Sequence, residues 1–327
     1  MKKISLIILF VTTIAFGQAE VNEISSMPGA FSRMGFGARG MGMGNAMAAV
    51  TDGNMIPYYN PALGVFQEDN YFQTSYSFLS LDRSLNFLNF TKRFNVGKKR
   101  ERDDFQRYAG ISVGLINAGV SGIEERTSEG YKTGDLSTSE NVFFLSLSNK
   151  FSEKLALGIT VKYFYYSLYE DISSTGLGVD IGALYKFSNK IMLSFMISDI
   201  NSKYKWDTND LFGQDGNTST DKFPLLKKIG LAYKVNENVL TSFEFESSNA
   251  GTSILRGGIE YCIQEGLYLR GGIDKFNISN SDFPARPSLG FSYLYTLNSW
   301  KVGIDYAFVI EPYSTHDQHI IGLNIRF

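Results

Sequence analysis

Residues 153–168 read EKLALGITVKYFYYSL, and the period of this stretch decides the fold. Leu155, Leu157, Ile159, Val161, Tyr163 and Tyr165 share one face, while Ala156, Gly158, Thr160 and Lys162 share the other. Strand side chains alternate between faces, so the segment has one apolar wall with aromatic ends and one small or charged wall. The same design returns in GLGVDIGALYKF (residues 176–187), where Leu177, Val179, Ile181, Ala183, Tyr185 and Phe187 oppose Gly178, Asp180, Gly182 and Lys186. It returns again in SWKVGIDYAFVI (residues 299–310), where Trp300, Val302, Ile304, Tyr306, Phe308 and Ile310 oppose Lys301, Gly303, Asp305 and Ala307.

About fourteen such segments follow one another, most near the 9–11 residues that a tilted strand needs to cross a bilayer. They start near Asn70, Ser84, Arg107, Ser139, Glu153, Ile172, Lys190, Phe223, Glu237, Ser253, Glu265, Pro284, Ser299 and His316. Their connections alternate in length. NKFSEK, FSNK, VNEN, IQEG and TLNS are tight turns, and longer links fall at 119–138, 201–222, 247–252, 277–283 and 311–315. Short turns on one side and long loops on the other are the habit of outer-membrane barrels. The link NVGKKRERDDF (residues 95–105) is the exception, long where a short turn is expected and balanced in charge. The predicted fold is all-β, a transmembrane antiparallel β-barrel of about 14 strands over residues 70–327.

Composition agrees. The 327 residues include 26 Phe, 19 Tyr and 32 Gly but only 7 Pro, which suits many strands and tight turns. A net charge of −2 signals no polyanion partner, so no nucleic-acid role is expected. Mean hydropathy slightly below zero is too low for a helical membrane protein but ordinary for a barrel with a polar lumen. Lys2 and Lys3, the apolar run Ile4 to Phe16, and the small residues Ala15 and Gly17 mark residues 1–17 as a secretory signal peptide cut before Gln18. Cys262 is the single cysteine, so no internal disulfide is available, and it is expected to pack as a small apolar residue. The chain ends HIIGLNIRF, with Ile321, Leu323, Ile325 and Phe327 on one face; its terminal aromatic resembles the signal read by the bacterial barrel-assembly machinery.

The parity predicts a lumen crowded with both signs of charge: Lys162, Asp180, Lys186, Lys228, Glu244, Glu246, Arg256, Glu260, Arg270, Asp274, Lys301, Asp305 and Arg326. Adjacent charges of opposite sign form ion pairs rather than a single-sign filter, which suits a filled interior better than an open pore.

Residues 18–69 lack strand alternation and are expected to fill that lumen as an N-terminal plug, or hatch. Gly35, Gly37 and Gly40 satisfy G-x-G-x-x-G, but no buried strand precedes them and no βαβ unit surrounds them, so no nucleotide cofactor is expected. Glycines instead let backbone pass closely against a wall. Ala38, Met41, Met43 and the run Ala46 to Val50 form an adaptable apolar body. YYNPAL reads as a helix start with Asn60 as N-cap and Pro61 at the first helical position. Arg33 and Arg39 are expected near inward carboxylates such as Asp180, Glu244, Glu260 or Asp305.

The stretch FSRMGFGARGMGMGNAMAAVTDGNMIPYYNPA (residues 31–62) resembles the N-terminal signature of the PorV/PorQ family of bacterial outer-membrane proteins. Its Asn-Pro-Ala box, Asn60, Pro61 and Ala62, resembles the wider superfamily of FadL-type fatty-acid and hydrocarbon transporters. The close match spans about residues 31–64, and the plug motif it marks is Arg33, Gly35, Gly37, Ala38, Arg39, Gly42 and Gly44 with the Asn-Pro-Ala box. The resemblance implies a fourteen-stranded barrel with a lumenal hatch, in a Bacteroidetes-type outer membrane. It also implies association with type IX secretion and partners among exported cargo proteins or secretion components. A transporter of small hydrophobic molecules is the alternative.

No enzyme is expected. His316 and His319 are the only histidines, and in a strand positions three apart face opposite ways, so the pair is a poor metal chelate. His319 has lipid-facing parity but no serine partner, and the lumenal carboxylates form no recognisable catalytic pair.

Overall fold

The computed structural model describes residues 24, 27–97, 106–169 and 172–327. The expected signal peptide, residues 18–23 and 25–26 of the expected plug, and most of the 95–105 link lie outside the described residues.

Fourteen strands close a barrel in which every neighbour is antiparallel. They are β1 (Tyr71–Phe78), β2 (Arg83–Asn95), β3 (Tyr108–Arg126), β4 (Lys132–Lys150), β5 (Leu155–Tyr169), β6 (Ile172–Lys186), β7 (Ile191–Ile200), β10 (Leu226–Lys234), β11 (Val239–Ser248), β12 (Ser253–Gln264), β13 (Leu267–Asn277), β14 (Arg286–Leu297), β15 (Trp300–Val309) and β16 (Gln318–Arg326). Two short strands, β8 (Lys203–Asp207) and β9 (Thr218–Lys222), form a separate hairpin. Pairing of β1 with both β16 and β2 removes the free edge. Asn70 and Phe327 complete the seam by exchanging both backbone hydrogen bonds, at 3.0 and 3.1 Å.

The parity of residues 153–168 holds around the wall. Ile159, Val161, Ile181, Phe195, Phe243 and Ile304 point outward and are exposed, giving an apolar outer band. Aromatic side chains rim it. Trp300 stacks on Phe327 at 5.1 Å at the short-turn end, and Tyr163 and Tyr165 lie toward the long-loop end.

Two expected loops are built differently. The link 119–138 is mostly strand, because β3 runs on to Arg126 and β4 starts at Lys132. Both faces of this extension are wet, so it lacks the apolar alternation that marks a strand in sequence. The link 201–222 folds back as β8–β9 over the lumen, where Tyr204 is buried against Phe164, Tyr166 and Phe223. Gly176 and Gly178 on β6 leave the room, since a methyl at either would overlap Lys203 or Ser202.

Two strands carry an extra residue. Asp199 (φ 60°) is inserted on β7 opposite Asp180, and Lys275 (φ 55°) on β13 opposite Arg256. Each is a β-bulge, which turns neighbouring side chains to the same side.

Candidate functional site: the filled lumen and its outer mouth

Residues 28–67 run through the lumen and touch both sides of the wall. A one-turn helix, Ala38–Gly42, lies against β13–β16, and a 3₁₀ turn, Pro61–Phe66, lies against β2–β6. Both contacts depend on absent side chains. Gly42 faces Gly290 on β14, and Gly44 lies against the backbone of Gly257 and Ile273, so that a methyl on Gly272 would overlap it. Gly64 meets Gly110, and a methyl on Gly158 would overlap the backbone of Pro61.

The plug-motif residues fall as follows. Arg39 is buried and grips Glu260 on β12 with two hydrogen bonds, Nε to Oε2 at 2.8 Å and Nη2 to Oε1 at 2.7 Å. Its Nη1 donates to the Asn54 carbonyl at 2.9 Å. Burial opposes the Arg39 charge, but the Glu260 carboxylate outweighs it, and the guanidinium titrates above its ordinary range. Ala38 is fully buried against the patch of Ala307, Val309 and Ile320. Gly35 and Gly37 take positive φ, 99° and 70°, and Gly37 opens the helix. Asn60 occupies the N-cap of the 3₁₀ turn, where Pro61 is first and Ala62 N–H donates to Asn60 Oδ1 at 3.0 Å.

Arg33 departs from the expectation. Among the described residues it pairs with no carboxylate. It donates instead to the carbonyls of Pro28 at 2.8 Å and of Ile24 and Met27 at 3.3 Å. The expected lumenal charges divide too. Lys162, Asp180, Glu244, Glu246, Arg256, Glu260, Arg270, Asp274 and Asp305 are buried, whereas Lys186, Lys301 and Arg326 are only half-buried. Arg256 is held by Asp274 at 2.7 Å, Glu244 at 3.0 Å and Glu246 at 3.1 Å, and Lys228 joins Glu246 at 3.1 Å. Lys162 bridges Asp180 at 2.8 Å and Asp199 at 3.0 Å on the opposite side.

Several residues that organise the lumen escape the sequence reading. Asn45 donates to Asp274 at 3.0 Å and takes the Tyr59 hydroxyl on Oδ1 at 2.6 Å, while Phe36 N–H donates to the same hydroxyl at 2.9 Å. Burial pushes the Tyr59 hydroxyl far above its ordinary range, so it stays protonated as a donor. A polar residue inside the run GMGMGNAM is the one signal that singles out Asn45. Asp199 and Lys275 are hidden because a bulge shifts the parity; the traces are the spacings of three between Ile197 and Ile200 and between Ile273 and Phe276.

Two cavities lie in series. A small central one is bounded by Phe36, Tyr58, Tyr59, Lys162 and Asp199. A larger one, about 290 Å³, opens at the long-loop end between Ile254, Phe283, Pro284, Pro312 and Tyr313. Arg33, Glu246 and Arg256 line both and form the partition between them. Elsewhere, His319 faces outward beside Tyr306 at 2.7 Å, and Cys262 is half-buried with its thiol 3.3 Å from the Gln264 carbonyl. No group of three metal-ligating side chains occurs among the described residues.

A closed fourteen-strand antiparallel barrel of this kind is the FadL-type outer-membrane barrel fold. The chain is similar in structure to the toluene transporter TbuX of Ralstonia pickettii, with a TM-score of 0.59 at 14% identity over 90% of this chain and 98% of that one. It is similar to the toluene transporter TodX of Pseudomonas putida, with a TM-score of 0.58 at 15% identity over 89% and 96%. A FadL homologue of Pseudomonas aeruginosa gives 0.53 at 12% identity over 88% and 97%. No protein-family profile and no curated protein matches the chain.

Proposed function

We propose that this chain is an outer-membrane barrel that passes small hydrophobic molecules inward, with residues 28–67 as the seal that such molecules must get past. The observation that carries this reading is the pair of cavities sharing one partition. The outer one carries an apolar wall of Ile254, Phe283, Pro284, Pro312 and Tyr313 beside its charged side chains, and the inner one sets Phe36, Tyr58 and Tyr59 against Lys162, Asp199 and Glu244. Behind the inner cavity lies a bed of lumenal rings that includes Phe87, Phe144 and Phe164. A small-ligand pocket combines apolar and aromatic side chains with placed polar groups, and here the rings of Phe36, Tyr58, Tyr59, Phe283 and Tyr313 supply the apolar part. The apolar outer band and its aromatic rims fit a bilayer. The structural likeness to two toluene transporters supports the same substrate class.

A secretion role of the PorV/PorQ kind rests on residues 31–64 alone and draws no support from the comparisons. The packing of that stretch already accounts for its glycines and its Asn-Pro-Ala box. The test is uptake of labelled toluene into liposomes carrying the folded full-length protein. Faster filling than in protein-free liposomes is expected, together with low ion conductance in planar bilayers. Toluene flux equal to the protein-free control would sink the transport reading, and large steady conductance would sink the seal.

A further inference from the structure

The outer mouth cavity is not simply apolar. Four cations, Arg33, Arg256, Lys275 and Arg286, line it against two carboxylates, Glu246 and Glu311. Their pairing is uneven. Arg256 is fully engaged with Glu244, Glu246 and Asp274. Arg286 pairs through its Nη atoms with Glu311 and, at 3.6 Å, with Asp274, but its buried Nε has no acceptor. Lys275 makes no hydrogen bond or ion pair among the described residues. It lines the cavity only because of the bulge. Leu255 pairs with Phe276 and Gly257 with Ile273, so Arg256 alone faces both Asp274 and Lys275. A lysine at φ 55° is a disfavoured backbone state, of the kind that collects at functional positions.

We propose that this mouth cavity binds small aromatic monocarboxylates, with the carboxylate taken by Lys275 Nζ beside the Arg286 guanidinium and the ring held by Phe283, Pro284, Pro312 and Tyr313. The inference names the substrate class for the transport reading and rests on it. Two of the four lining cations, Arg33 and Lys275, have no carboxylate partner among the described residues, and such charge in a partly buried site attracts an anion; a guanidinium beside an ammonium suits a carboxylate. A cavity of about 290 Å³ takes a single ring rather than a long chain. A neutral hydrocarbon would leave the Lys275 ammonium without a partner, which is costly at a half-buried wall.

Calorimetry on the full-length protein in detergent tests this with benzoate and its neutral counterpart benzyl alcohol. Benzoate is expected to bind about tenfold tighter or better, a difference of about 1.4 kcal/mol, and to weaken as salt is raised. Lys275→Met should erase that preference while leaving benzyl alcohol unchanged and the heat-shifted gel mobility of the folded barrel intact, because Lys275 supports no ion pair. Phe283→Ser should weaken both ligands. Equal affinity of the two ligands, or benzoate binding untouched by Lys275→Met, overturns the proposal. Uptake of labelled toluene and of labelled benzoate, measured on the same preparations, separates the two readings. Uptake without benzoate preference removes the site and keeps transport, and preference without uptake removes transport and keeps the site.

Discussion

The two ends of the lumenal segment are held by different physics. The 3₁₀ turn Pro61–Phe66 rests on β2–β6, whose inward side chains include Leu85, Phe87, Ile116, Val142 and Phe144. The helix Ala38–Gly42 rests on β13–β16, and the chain around it is pinned to carboxylates of β11–β13: Arg39 to Glu260, Asn45 to Asp274 and the Ala48 N–H to Glu244. Apolar contact supplies stability but little direction, so that side can be repacked. Buried ion pairs add little net stability over an apolar isostere, but they fail severely when one partner goes. The charged side therefore sets where the segment sits, and the apolar side makes that position stable.

The largest effect expected from this contrast is that of Glu260→Ala. It strands two buried guanidinium groups, since Arg270 Nε also donates to Glu260, at 2.6 Å. Removing one member of a buried pair typically costs about 3–5 kcal/mol, and here two cations lose their partner. The thermal midpoint of the gel-shift transition should fall sharply and bilayer conductance should rise as the segment loosens. A variant as stable and as tight as the parent would show that Glu260 does not fix the segment.

On the other side, Leu63 has no exposed surface, and Leu63→Ala should cost about 2–5 kcal/mol. The sharper test is the conservative swap. Leu63→Met keeps the volume and should cost less than about 1.5 kcal/mol. Glu260→Gln also keeps the shape, yet it removes the charge that both arginines need and should remain severe. Equal tolerance of the two conservative swaps in the same gel-shift assay would erase the distinction between the sides.

Legibility in the sequence follows the same division. The apolar outer wall is written at period two, so segments such as 153–168 place strands and faces without further information. Most of the inward charges follow by parity from the same reading. What the alternation cannot carry is a change of phase: bulges at Asp199 and Lys275 admit one residue each and move charges into the lumen that parity assigns elsewhere. Nor can it report strands wet on both faces, which is why 119–138 reads as a loop although β3 and β4 occupy most of it. Arg33 was readable as a lumenal cation but not as one satisfied by carbonyls of its own segment, because that depends on a chain reversal at Gly29 (φ 70°).

The smallest predicted effect separates the cap from the tether at Asn60. Its Oδ1 accepts from Ala62 N–H at 3.0 Å, while its Nδ2 reaches the carbonyls of Ala183 and Phe195 at 3.3 and 3.5 Å, across β6 and β7. The first contact has good length and satisfies a helix-start donor, whereas the second pair is long and correspondingly weak. Asn60→Ala should therefore cost about 1 kcal/mol, the usual loss for a helix cap. Asn60→Ser restores an oxygen for Ala62 but reaches neither carbonyl, and most of the stability should return with it. Hydrogen exchange gives the local reading: amides of 62–66 should exchange faster in Asn60→Ala, while those of 38–42, held from the charged side, should not change. If Asn60→Ser is as poor as Asn60→Ala, the weak contacts to the wall outweigh the cap, and the apolar side also holds its end of the segment by direction.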